Sequence, residues 1–393
     1  MTGAHWGKLV AILLATAISS AAGAKKPEFV RPPYAGAYEP QGVDERGQWM
    51  EFDEIERSMR DSPIVIRDPS VNLWLKRALC RTIGDDRCST VRIYLIRDPE
   101  FNASMAPNGM MIVHTGLLLR LHSEAELAAV LGHEFAHFER RHGLAGFRKG
   151  RSANDAIAWL ALAGAVASRS TTDMRRNVIG GYYHFGRSQE IEADILSTDY
   201  VNGSPFRLHS AAIWFRMVNE DDRRRIARGQ KPGASNFTGW LDSHPSSLTR
   251  GTYLSAIETQ SKMDGEDGIA EYAAGTASLM PELLDTLVRG NDFGGADYVI
   301  TSRAEDMGWT ALLHNARGEL YRLRGNQRDL ATAQGFYQQA TAYPDAPPEA
   351  WRGLGLCTMR LGDVKTGRAA LAEYLKRSPE ARDAASIKML LES

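Results

Sequence analysis

The sequence predicts an α+β chain, mostly α, with a small antiparallel sheet in its first part and an α-solenoid in its last. Three observations carry this. Two apolar runs meet at Pro107-Asn108-Gly109, just before a long apolar helix. From Ala128 to Phe138 the only ionisable side chains of that helix are His133, Glu134 and His137. A helical pattern then recurs near the C-terminus, where Gly318 and Gly355 align 37 residues apart.

The N-terminal stretch has a lone Lys8, an apolar run at residues 9–18 (LVAILLATAI) and small residues up to Ala24. This is the pattern of a secretory signal cleaved near Ala24, since the run is shorter than the roughly 20 residues a membrane span needs. The mature chain is therefore expected to have no transmembrane span and to lie in an oxidising compartment. There Cys80 and Cys88 are expected to close a short disulfide loop, while Cys357, inside a helical pattern, reads as a buried small hydrophobe. Residues 25–48, with four prolines, are expected to be an extended linker.

Helical patterns begin near Trp49 and Asn72. Residues 91–96 (VRIYLI) read as a strand, and residues 101–105 (FNASM) with residues 110–115 (MMIVHT) as a hairpin around Asn-Gly. Ser123 and Glu126 form a capping box that starts the next helix, with Gly143 expected to end it. An apolar helix at residues 155–168, a helix at 188–201 and helices over 210–228 follow. From residue 268 the chain is nearly all helical. The spacing fits a tetratricopeptide-like repeat of about 34 residues if the turn GNQRDL carries the extra residues. Domains of 49–262 and 268–393 result.

Apolar residues make up 43% of the chain, charged ones 24%, and the formal net charge is -1. That balance describes an ordinary globular protein and supplies no field to recruit nucleic acid. The chemistry must come from particular residues. His133 and His137 are four apart, so on a helix both imidazoles project from one face and can share an ion, with Glu134 beside them. This H-E-x-x-H pattern is a zinc metalloprotease signature. A catalytic zinc needs a third protein ligand. In SQEIEAD, residues 188–194, Glu190 and Asp194 share one helical face and Glu192 points elsewhere, so Glu190 is expected to ligate one Zn2+ per chain. Asp194 is expected to orient a ligand histidine. His142 and His184 read as structural or surface residues, and His114 as part of the proposed edge strand.

HEFAH followed by EIEAD, with SEAELAAVLG, NASMAPNG and TGLL upstream, resembles the Glu-zincin family of metalloendopeptidases that includes the CAAX prenyl protease and the bacterial heat-shock membrane protease. The signal and the repeats narrow the resemblance to a secreted, periplasmic branch. It implies His133, His137 and Glu190 as zinc ligands and Glu134 as general base. It also implies a substrate edge made by Asn102, Ala103 and the strand after Gly109 with Met110 and Met111, which takes an extended peptide by strand addition. DSHPSSLTR resembles the family's His-Pro element. His244 would stabilise the oxyanion or occupy the open metal position, with Arg250 anchoring the segment or meeting substrate. The implied function is an endopeptidase for unfolded envelope proteins, outer-membrane β-barrels included, whose repeats recruit substrate or the assembly machinery. The competing reading is a peptide-binding chaperone or scaffold with a structural or gated zinc site.

Overall fold

A computed structural model describes residues 32–35, 38–151, 186–232, 247–261 and 264–392. The signal stretch, the helix expected at residues 155–168, His184, His244 and most of the loop at residues 229–239 lie outside the described residues.

Helix α1 (Gly42–Arg60) begins inside the expected linker. The extended reading is thus corrected for residues 42–48. The helix buries Glu45, Gln48, Phe52, Glu56 and Met59, so three of its five inward residues are polar and mask the apolar period. Those polar groups have partners: Glu56 accepts from Arg92 and from the Tyr94 hydroxyl. Helix α2 (Pro69–Ile83) is capped by Asp68, and short α3 (Asp85–Cys88) follows, with Cys80 and Cys88 joined by a disulfide.

The sheet has three strands, β1 (Arg92–Ile96), β2 (Ala103–Met105) and β3 (Met110–His114), in the order β1-β3-β2. β2 and β3 form the expected antiparallel hairpin, but β1 runs parallel to β3, so the sheet is mixed and not antiparallel. The chain leaves β1, passes to the far edge and folds back into the middle. MMIVH, an unbroken apolar run up to His114 with all five residues buried, suits that middle slot. The turn needs a glycine: Gly109 has φ +89°, and Asn108 Oδ1 accepts from the Met110 N–H at 3.1 Å.

Helix α4 (Thr115–Arg120) leads into α5 (Glu124–Glu139), where Ser123 Oγ accepts from the Glu126 N–H. Arg141, at φ +54°, ends this run, and α6 (His142–Arg151) starts at once, so Gly143 lies within α6 and is not the stop. Then come α7 (Arg187–Asn202), α8 (Ala211–Ala227) and α9 (Ser247–Glu258).

The C-terminal part continues as α10 (Ile269–Thr276), α11 (Met280–Arg289), α12 (Phe293–Met307), α13 (Ala311–Arg324), α14 (Gln327–Thr341), α15 (Pro348–Arg360), α16 (Val364–Arg377) and α17 (Ala384–Glu392). One hydrophobic core runs from Ile66 through Leu131 and Tyr272 to Leu320, so packing is continuous across residues 262–268. Helices α13–α14 and α15–α16 form successive hairpins in which Gly318 and Gly355 take matching parts. A Cβ on Gly318 would meet Tyr337, and one on Gly355 would meet Leu371. The α13–α14 turn is only Gly325 and Asn326, so the extra length expected in GNQRDL sits instead between hairpins, at residues 342–347.

Tyr337 is fully buried, its hydroxyl bonded to Glu319 at 2.6 Å, and a Cβ on Gly353 would stand 2.1 Å from its ring. The ring has nowhere to yield. Gly353→Ala should therefore destabilise the chain by about 1–3 kcal/mol despite alanine's better helix propensity, read as a lowered thermal midpoint. An unchanged midpoint would show that the ring can be displaced freely.

Candidate active site

Helices α5 and α7 build the site because they approach closely. Gly132 faces Ser197, whose hydroxyl donates to the Ala129 carbonyl at 2.6 Å, and Ala193 is fully buried between them. On α5, His133 and His137 stand one turn apart with Nε2 atoms 3.1 Å from each other. From α7, Glu190 Oε2 lies 3.6 Å from His133 Nε2 and Oε1 lies 3.4 Å from His137 Nε2. Two ligands bound at about 2.05 Å with tetrahedral angles sit ~3.3 Å apart, so these separations fit a shared ion. Glu190 is completely buried. Two imidazoles and a carboxylate are the donor set that suits zinc.

Each ligand histidine is oriented from behind. His133 Nδ1 lies 2.8 Å from Asp194 Oδ1, so its proton sits on Nδ1 and its Nε2 lone pair faces the centre. Asp194 also accepts from Arg250 Nε at 2.9 Å and from the Tyr253 hydroxyl. Burial alone would raise the Asp194 pKa, but the Arg250 guanidinium and His133 hold it well below the usual carboxylate range. Arg250 is itself buried, stacked 3.7 Å over the Trp214 ring. That engages its guanidinium with Asp194, so Arg250 anchors the site, and it also lines the cleft beside Glu134.

His137 is oriented by a residue that the sequence suggested only as structural or surface. His142, at the start of α6, is buried and puts Nδ1 2.9 Å from His137 Nδ1. Its Nε2 in turn faces Glu192 Oε2 at 3.4 Å. One proton arrangement satisfies the row: His137 donates from Nδ1 to His142, and His142 points its Nε2–H at Glu192. Burial lowers the His142 pKa, which favours the neutral ring this requires. A histidine five residues after the second ligand was the available signal. It could be used only by knowing that Arg141 turns the chain back.

Glu134 lines a cleft with Phe101, Ala103, Val130, Trp214 and Leu254. Burial pushes its pKa up to about 7, against the opposing pull of His133 and Arg250. Asn102 and Ala103 border the same cleft. The Asn102 carbonyl accepts from the His114 N–H, so by antiparallel alternation the main-chain groups of Ala103 and Met105 point away from β3. Met110 and Met111 do not join them. Both are fully buried in the middle strand, which corrects their assignment to a substrate edge.

Replacing His142 by alanine removes the partner of His137 without touching a ligand atom. The expected result is a loss of about 10–100-fold in zinc affinity, measured by chelator competition, with the melting curve little changed. Unaltered affinity would reduce His142 to a packing residue.

Residues 69–258 match the model of peptidase family M48. The chain is 32% identical over 181 residues to the mitochondrial metalloendopeptidase OMA1 of Schizosaccharomyces pombe, covering 45% of this chain and 50% of that one. It is 22% identical over 258 residues to the beta-barrel assembly-enhancing protease of Yersinia pestis, covering 60% and 51%. Against the protein of that name from Escherichia coli O157:H7 it is 24% identical over 268 residues, covering 62% and 53%. The chain thus spans about half the length of these relatives. H-E-x-x-H and Glu190 both lie inside the matched segment, so residues 69–258 are similar to a peptidase M48 domain, and the chain resembles the beta-barrel assembly-enhancing proteases over part of their length.

Proposed function

We propose that this chain is a zinc-dependent endopeptidase of the periplasm that cleaves unfolded or misassembled envelope proteins, outer-membrane β-barrels among them. The observation that carries the reading is Glu134, set in a cleft between the ligand helix and strand β2, whose outer edge has no partner strand among the described residues. A purely structural zinc site has no use for that carboxylate. The names of the relatives supply the link to β-barrel assembly, and the C-terminal helical hairpins are a natural place to recruit clients or an assembly partner.

His133, His137 and Glu190 would hold the ion. When bound, zinc supplies a Lewis acid that acidifies water and polarises a carbonyl. The other parts belong to the chain. The outward main-chain groups of Ala103 and Met105 hold an extended peptide by strand addition, which reads backbone and accepts many sequences. Phe101, Val130, Trp214 and Leu254 take an apolar side chain and keep bulk water out. Glu134 removes the proton from the attacking water and hands it to the leaving amine. Glutamine in its place cannot carry that proton.

Glu134→Gln should keep its zinc at His133, His137 and Glu190 and lose about 10²–10⁴-fold in casein cleavage. If wild type is inert with zinc bound yet still suppresses aggregation of an unfolded client, the chain is a chaperone and the peptidase reading fails. If His244→Ala raises the wild-type rate, the His-Pro segment gates the zinc. Ala103→Pro tests the edge itself. Proline is tolerated on an edge strand but has no N–H to offer a substrate. It should raise KM for an unfolded protein with zinc content intact, and an unchanged KM would place binding elsewhere.

A further inference from the structure

A second group of ligand-type residues lies apart from the His133–His137–Glu190 centre. Asp98, Glu100 and His114 bring donor atoms within 4.8 Å of one another. His114 closes β3, and the two carboxylates stand on the connection between β1 and β2. His114 is 8% exposed, and its Nδ1 is buried with no hydrogen-bond partner among the described residues. Such a buried nitrogen is unfavourable unless something meets it.

The distances say what could. Asp98 Oδ1 lies 3.7 Å from His114 Nδ1, too far for a hydrogen bond. Two atoms that bind one ion at about 2.1 Å stand 3–4.2 Å apart, so the gap is one an ion spans. The carboxylate is held in place for it. Asp98 is 6% exposed, its Oδ1 accepts from the Glu100 N–H at 3.0 Å, and its backbone carbonyl accepts from Thr115 Oγ1 and from the Gly116 N–H. Glu100 is exposed, which leaves one side open to water ligands.

We propose that His114 Nδ1, Asp98 and Glu100 form a second divalent-metal site, separate from the peptidase centre. The imidazole donor selects a transition ion of the zinc or manganese type over calcium or magnesium. The ion would pin the connection after β1 to the end of β3. Glu100 runs directly into Phe101, Asn102 and Ala103, which wall the active-site cleft, so occupancy of the second site sets the position of the substrate edge.

The test is the number of metal equivalents bound by the metal-stripped full chain, titrated calorimetrically with Zn2+ and separately with Mn2+. His114→Gln should bind one equivalent fewer than wild type, and Glu100→Gln should weaken that equivalent at least about tenfold. Glu100 is exposed, so its variant folds even if His114→Gln does not. His137→Ala is the control: it should lose the other equivalent and keep this one, so failure of the peptidase centre to bind zinc does not touch the result. Equal stoichiometry and affinity in wild type and Glu100→Gln, or binding of the second equivalent only at millimolar metal, overturns the proposal.

Discussion

The buried carboxylate of Asp194 is the interaction on which the rest depends. It joins three helices at one point: α7 supplies the carboxylate, α5 the His133 ring, and α9 both Arg250 and Tyr253. Charges this deep are costly singly, and removing one member of such a pair typically costs about 3–5 kcal/mol because the other is stranded. The helices are therefore locked in register by electrostatics as well as by packing. Locking fixes the tautomer of His133, and with it the direction of the lone pair that an ion needs. Stability and chemistry are set by the same carboxylate.

The start of α5 is held by distant parts of the chain. Helix α4 ends with carbonyls that have no partner within their own helix, and Arg303 of α12 donates to two carbonyls in that stretch, Leu119 and Leu121. The Tyr272 hydroxyl of α10 takes the Leu118 carbonyl at 2.7 Å. Just beyond, Glu124 accepts from Trp74 Nε1 at 2.7 Å and from Arg81, and the Gly268 and Asp267 carbonyls receive the first N–H groups of α5. Residues well after the peptidase segment thus terminate one helix and begin the next. Their burial against that segment explains why the core has no break near residue 265.

The local parts of this architecture were legible in the sequence, and the relations between parts were not. Ser123, the four-residue spacing of His133 and His137, and the same spacing of Glu190 and Asp194 are properties of one helix each, so periodicity reveals them. Asn-Gly revealed the hairpin for the same reason. Strand order is a different kind of fact. Both VRIYLI and MMIVH are largely apolar, and composition does not say which of them is central or which edge stays open. His142 was missed because its place depends on Arg141 adopting a left-handed turn, steadied by Glu45 and by Tyr38, residues about a hundred positions earlier. The first turns of α1 were missed because Glu45 and Gln48 point inward, against the rule that polar residues face out.

The strand order also decides what kind of recognition this cleft can perform. Had β3 been the edge, Met110 and Met111 would have presented side chains and selected particular partners. With β3 in the middle, the cleft is bordered by Ala103 of β2 and by Asn102 just before it, both buried. An extended peptide laid there meets mostly backbone donors and acceptors, and only the side chain nearest Glu134 enters an apolar recess. Main-chain pairing requires that the substrate already be unfolded, because a folded protein has spent those groups on itself. On the strand-addition reading proposed above, selectivity for unfolded chains over folded ones would follow from the sheet topology, with no sequence preference needed to enforce it.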